Sequence, residues 1–260
     1  MKRHLSISFL FFSLLFPGCS KEVGGLPPAK AVKTPSIPAA EVVFQDRLEE
    51  KIGENGNYLL TLVSNFPTIT MDSNPDAAIK INGYFQNEEI YFNEKADKFF
   101  AEVFRETPSL TSYPVPSYIL DSHFTLIFEN DQILSFVRTD YENTTGQKAN
   151  TLWEAYNFDL DTGNLLSFQD IVTDEKKALV FLAEYLAEQM ENPQYENISW
   201  KNTNLPLLLA EADWYFSENG LVLLIKPGKI APYKEGFFQF TIPYNNFSFL
   251  KNKYQFMAVP

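Results

Sequence analysis

Asp121, Ser122 and His123 are the residue types of an orienting acid, a nucleophile and a base, and they are consecutive in the chain. Acyl transfer by such a set needs all three side chains to converge on one point. The residues around them alternate as a strand does, and neighbouring strand side chains point to opposite faces. Adjacency therefore works against a preassembled triad, and His123 reads as structural or solvent-facing. His4 is the one other histidine. No Gly-x-Ser-x-Gly, His-Glu-x-x-His or phosphate-binding Gly-rich loop occurs. No catalytic residue is assigned.

Asp159, Asp161 and Asp170 fall at the first, third and twelfth places of a calcium-loop count. The fifth place is Gly163, and the glycine required at the sixth is Asn164. A tight turn at Asp161-Thr162-Gly163-Asn164 explains these residues better, because Gly and Asn tolerate positive φ. Cys19 is the only cysteine, so there is no internal disulfide. With two histidines and that cysteine, a zinc site of the usual ligands is excluded. No metal and no cofactor are expected. Among 33 Asp and Glu residues the sequence singles out no pair for glycoside chemistry. Tyr233 and Tyr244 each follow a proline. Such corners either pack or stack on a sugar, and they are the candidate ligand-binding residues.

The 260 residues are 45% hydrophobic, enough for one large or two small cores. The net charge of −12 disfavours nucleic acid as a partner, since phosphates need Lys and Arg. It permits a cationic one.

Lys2-Arg3-His4 precedes an apolar run from Leu5 to Phe16. That run is shorter than the roughly 20 residues a spanning helix needs, and the pattern is that of a signal peptide. Leu15-Phe16-Pro17-Gly18-Cys19 resembles a bacterial lipobox, with Gly18 the small residue before the cysteine and Phe16 and Pro17 departing from the usual pattern. The resemblance implies lipidation of Cys19 and an extracytoplasmic protein held on a membrane by its anchor. Loss of the leader removes Lys2 and Arg3 and takes the net charge from −12 to −14. Gly24-Gly25, Pro27-Pro28, Pro35 and Pro38 then describe a tether that cannot pack a core.

The folded elements follow from periodicity and breakers. Strand-like pieces lie near Val42–Phe44 and Tyr58–Val63. Asn74-Pro75-Asp76 starts a helix whose apolar face includes Ile81, Phe85, Phe92 and Phe99 and which runs to about Arg105. Strands at 118–128, 132–141 and 151–160 predict an antiparallel meander. A helix over 175–190 stops before Asn192-Pro193, and an apolar run, Leu205 to Ala210, follows. Trp214–Phe216 and Leu221–Ile225 flank Asn219-Gly220 as a hairpin, and a strand over Gly236–Ile242 precedes a short closing helix near 245–250. The fold class is α+β: an antiparallel sheet meander with a long N-terminal helix, then a helix plus β-hairpin C-terminal part. The expected organisation is leader 1–19, tether 20–44, and domains over 45–165 and 166–260.

Several short motifs, in order, resemble the RsiV/PdaC-like envelope proteins. Phe66-Pro67, Ala77 and Ile81-Asn82 resemble the opening of the PdaC-type domain. Leu134-Ser135-Phe136 with Tyr141 is similar to its central strand. Asn157 to Gly163, Ile230 to Gly236 and Ile242-Pro243-Tyr244 together resemble the two linked domains of the RsiV anti-sigma factor and of the PdaC accessory region. Where relatives carry a Gly-Gly-Ala-His loop, this chain has Thr145-Gly146-Gln147-Lys148-Ala149-Asn150. The resemblance implies an α+β envelope protein without the sigma-binding segment or the deacetylase domain of those relatives. What remains is a lipid-anchored module that recognises a protein or glycan, such as a cationic envelope protein or a peptidoglycan fragment, without catalysis. A peptidoglycan-active enzyme and a structural envelope scaffold are the alternatives.

Overall fold

The computed structural model describes residues 39–52, 58–106, 118–143, 150–192, 195 and 203–255. The leader, Cys19, the tether up to residue 38 and the loop over 144–149 lie outside the described residues.

Strand β1 (Glu41–Ile52) pairs antiparallel with β2 (Tyr58–Thr70), with Gln45 opposite Phe66 and Arg47 opposite Ser64. Directly opposed residues share a face. Helix α1 (Pro75–Glu106) follows. Asn74 caps it by accepting from the Ala77 N–H at 3.3 Å, Pro75 occupies the first position, and Asp76 meets the positive end of the helix dipole. At 32 residues α1 is about 48 Å long, enough to run the length of a sheet.

That length sets the topology. β3 (Tyr118–Glu129) returns beside β2 in parallel, from Leu60–Tyr118 to Asn65–His123. Parallel neighbours need a crossover, and α1 supplies it. β4 (Ile133–Asn143) and β5 (Asn150–Asp159) then continue antiparallel as predicted, giving the order β1-β2-β3-β4-β5. The β2–β3 junction is the one parallel pairing of this sheet among the described residues. α1 covers one face of this sheet. Phe85 is 2% exposed, and its ring centroid lies 5.2 Å from Phe124, 5.3 Å from Phe136 and 5.2 Å from Phe158. Burial of each such ring contributes about 1.5–3 kcal/mol, before the edge-to-face term.

After β5 the chain turns through residues 160–164. A single turn, α2 (Phe168–Ile171), carries a Ser167/Asp170 capping box. α3 (Glu175–Met190) is capped by Asp174. α4 (Leu205–Ala210) is capped by Asn204 where the sequence showed only an apolar run. β6 (Asp213–Phe216), β7 (Leu221–Ile225) and β8 (Phe238–Ile242) form a second, antiparallel sheet. α3 and α4 bury Leu182, Leu186 and Leu208 in the same core as Phe216, Leu223 and Phe240. One-turn 3-10 segments at Tyr244–Asn246 and Asn252–Tyr254 replace the expected closing helix.

The two sheets meet where β6 lies on β4 and β5. Asn157 donates through Nδ2 to the Trp214 carbonyl at 2.7 Å, and its Oδ1 accepts from Ser135 Oγ at 2.6 Å. The Phe216 N–H donates to that same pair at 3.3 Å. Buried backbone groups on the free side of β6 thus find partners on the other sheet, as buried polar groups must. No helix among the described residues is long and apolar enough to cross a membrane.

Candidate functional site

A cleft of about 330 Å³ separates the β1–β2 hairpin from α1. Register puts Gln45 and Arg47 of β1 on the same face as Ser64, Phe66 and Thr68 of β2. Asn82, Phe85, Gln86 and Glu89 of α1 form the opposite wall. They are spaced i, i+3, i+4 and i+7, which is one helix face. Asp46 and Pro67 complete the lining.

The walls are held by side chains already committed elsewhere. β2 leaves β3 after Asn65, so backbone groups beyond that point need other partners. Asn65 accepts from the Phe124 N–H at 2.6 Å and donates to the Phe124 carbonyl at 3.1 Å. Asn82 does the same for Ile69, accepting at 2.7 Å and donating at 2.8 Å. Arg47 closes one end: it donates to Asn93 Oδ1 at 2.9 Å, pairs with Glu49 and lies 3.9 Å from Glu89. By contrast, Gln45, Ser64, Thr68 and Gln86 make no side-chain hydrogen bond to any described residue. Ser64 is only 3% exposed. The floor is apolar: Phe66 and Phe85 are 7% and 2% exposed. The cleft therefore presents uncharged donors and acceptors over an aromatic base.

On the neighbouring face of α1, Arg138 of β4 lies among three carboxylates. Its Nη1 donates to Glu88 Oε2 at 2.5 Å, its Nε is 3.2 Å from Asp140 Oδ2, and it pairs with Glu154. Tyr156 donates to Glu154 at 2.8 Å, and its ring lies 5.4 Å from the guanidinium. Burial pushes the Asp140 carboxyl above its usual range against the pull of Arg138 and the Ser122 hydroxyl. Burial also raises the Tyr156 phenol well above its usual value. The space beside this group is about 20 Å³, room for a water but not a substrate. These convergent acids are a structural tie between α1 and the sheet.

The sequence candidates are dispersed. Ser122 donates to Asp140 at 2.7 Å on the α1 side, whereas His123 pairs through Nδ1 with Asp121. The Asp121 hydrogen bond raises the His123 imidazole above its usual value, outweighing burial. Asp159 Oδ1 accepts from the Asp161 and Thr162 N–H groups, both at 3.0 Å. Its Oδ2 accepts from Lys253 Nζ at 2.5 Å and the Tyr254 hydroxyl at 2.9 Å. Asp161 takes the same Lys253 at 2.6 Å, and Asp170 caps α2. No group of three metal-ligating residues occurs among the described residues. Tyr233 is 47% exposed with its hydroxyl on Asn150 Oδ1. Tyr244 donates to the Ser217 carbonyl at 2.7 Å, and burial pushes its phenol up. Neither tyrosine lines the cleft. Cys19 lies outside the described residues.

Gln45, Ser64, Thr68 and Gln86 belong to no chemical motif, and sequence reasoning passed over them. One signal was present: Phe66, Pro67 and Asn82, which carried the PdaC-type resemblance, all line the cleft.

A family model described as a protein of unknown function, DUF3298, matches residues 169–245. This span holds α3, the second sheet, Tyr233 and Tyr244; the cleft lies before it. A crystal structure of a DUF3298 family member from Bacteroides fragilis is 17% identical, with a TM-score of 0.64, covering 83% of this chain and 95% of that one. A DUF3298 family protein from Pseudomonas aeruginosa is 14% identical, with a TM-score of 0.52, covering 84% and 96%. The likeness thus extends to the fold well beyond the matched span. No curated protein matches the chain.

Proposed function

We propose that the mature chain is a lipid-anchored, extracytoplasmic binding module of the cell envelope, recognising a protein or glycan in the cleft between β1–β2 and α1 without chemistry of its own. One observation carries the reading: the cleft offers uncharged polar side chains that have no partner among the described residues, whereas the convergent acids are tied to Arg138 with no room for a substrate. Recognition needs the former and acid–base catalysis the latter. The RsiV/PdaC-like motifs and the leader ending at Cys19 support an envelope location and a membrane anchor. A mature charge of −14, the starting −12 less Lys2 and Arg3, would steer a cationic envelope protein toward the surface, raising on-rate more than affinity.

The test immobilises the purified chain and offers peptidoglycan fragments and cationic envelope proteins at low and moderate salt. Saturable binding that weakens with salt but persists is expected. Turnover of peptidoglycan, abolished by replacing one particular Asp or Glu, would overturn the reading in favour of an enzyme. For the anchor, wild-type protein as soluble as Cys19→Ala after fractionation would remove the lipid.

A further inference from the structure

We propose that the β1–β2/α1 cleft is a saccharide site that takes one ring of a neutral pyranose chain. The inference rests on the binding-module reading and names the ligand class of the same cleft.

Gln45, Ser64 and Thr68 on one wall and Gln86 on the other are amides and hydroxyls. Each such group both donates and accepts, as the hydroxyls of a sugar do. An apolar ligand would strip water from these groups and return no hydrogen bonds, which disfavours it. An anionic ligand would need a free cation. The one cation in the lining, Arg47, is held by Glu49, Asn93 and Glu89. A cationic ligand would find Glu89, which already faces Arg47, while strand alternation turns Asp46 to the other face of the sheet. What remains is a neutral, polyhydroxylated molecule. The Phe66 and Phe85 floor is almost wholly buried, so the polar walls carry the recognition.

Preorganisation favours the same reading. Ser64 is 3% exposed, so its hydroxyl is fixed at the base of the cleft and not free on a surface. The Asn82–Ile69 and Asn65–Phe124 clamps hold the two walls before any ligand arrives, and rigid walls reduce the ordering cost of binding. The volume of about 330 Å³ sits at the small end of ligand pockets, which suits one ring of a chain entering and leaving through an open side.

The purified full-length chain is titrated with an N-acetylglucosamine oligosaccharide and, separately, with a glucose oligosaccharide. Binding is read by calorimetry and by saturation transfer from protein to sugar. Binding of at least one is expected, and which of the two binds assigns the source. Gln45→Ala and Gln86→Ala, whose side chains hold nothing in the fold, should each weaken binding about 3- to 10-fold, with unchanged melting temperature. The double variant should lose more than either. Absence of transfer to both sugars overturns the inference. So does sugar binding that the double variant leaves unchanged, since the site would then be elsewhere. A cationic protein is the third probe. If it alone binds and the double variant releases it, the saccharide assignment falls while the binding module stands. If a sugar binds and is cleaved, the ligand class stands and the reading without catalysis falls.

Discussion

Asn82 of α1 pairs with both backbone groups of Ile69 in β2, accepting from its N–H at 2.7 Å and donating to its carbonyl at 2.8 Å. The helix thereby acts as a strand where β3 has turned away, and one wall of the cleft is held by a side chain from the other. Asn82→Ala should leave both backbone groups unpaired and cost about 2–4 kcal/mol. Asn82→Asp can accept from the N–H but cannot donate to the carbonyl, so it should fall between wild type and Ala. Urea unfolding of the three proteins checks the order. Equal stability of wild type and Ala would mean that the clamp does not form.

The clamp also marks where sequence reading stops. α3 was legible to its bounds because Asp174 caps it and Asn192-Pro193 ends the pattern. α1 was legible from Asn74-Pro75-Asp76 and its aromatic stripe. Alternation located β3 to β5, but it encodes a strand's faces and not its neighbour. The parallel pairing of β2 with β3 was therefore hidden, and with it the gap that Asn65 and Asn82 fill. The cleft was hidden for the same reason. Gln45, Ser64, Thr68 and Gln86 are ordinary surface types until register and helix phase bring them together. Asn204 before Leu205-Pro206 was a helix start in plain view, a cap followed by proline, that the apolar run obscured.

Burial raises the Asp159 carboxyl, but hydrogen bonds from Lys253, Tyr254 and the Thr162 N–H outweigh it and hold it below its usual range. A carboxyl depressed in the folded state stabilises fully above its unfolded value and loses that contribution as pH falls through the folded value. The Asp159 contribution should thus be intact at neutral pH and disappear below about pH 3.9. Asp159→Asn should cost about 2–3 kcal/mol at pH 7. Lys253→Met should cost less, because four other donors remain on Asp159. Stability curves of wild type and Asp159→Asn against pH should converge in acid. Parallel curves would show that Asp159 is not ionised in the fold.

Arg138 neutralises a site that otherwise holds Glu88, Asp140 and Glu154 together. Removing one partner of a buried ionic group leaves uncompensated charge, which costs about 3–5 kcal/mol. Arg138→Met keeps the length and removes the charge, so this cost is expected at pH 7.5. The Asp140 carboxyl is already above its usual range through burial, against the pull of Arg138. Without Arg138 it rises further. A carboxyl raised in the folded state takes up protons on folding, so stability increases as pH is lowered through the raised value. The penalty of Arg138→Met should therefore shrink from pH 7.5 to pH 5. Urea midpoints at the two pH values test this, and an equal penalty at both would mean that the carboxylates do not face Arg138.

Gly163 connects the turn after β5 to the start of α1. Its φ is 71°, and a Cβ there would lie 2.6 Å from the Ala77 carbonyl oxygen and 2.8 Å from the Ala77 Cα. The turn is held on that helix by Asn74, whose Nδ2 donates to the Leu160 carbonyl at 3.0 Å and the Asp161 carbonyl at 2.8 Å, and by Lys80 donating to the Thr162 carbonyl at 2.9 Å. Two effects forbid a side chain, and they can be separated. Positive φ costs a β-branched residue about 1–2 kcal/mol, and forcing atoms into a packed contact costs about 1–3 kcal/mol. Gly163→Val suffers both and should lose about 2–4 kcal/mol. Asn tolerates the left-handed region, so Gly163→Asn isolates the crowding. If φ alone mattered, Asn would be nearly neutral. The close approach to Ala77 predicts instead that Asn loses most of what Val loses, with the melting temperature following. Gly83 in α1 is the control, since an added Cβ meets nothing within 4 Å and Gly83→Ala should stabilise by about 0.5–1 kcal/mol. A neutral Gly163→Asn would show that the turn and the helix do not touch at Ala77.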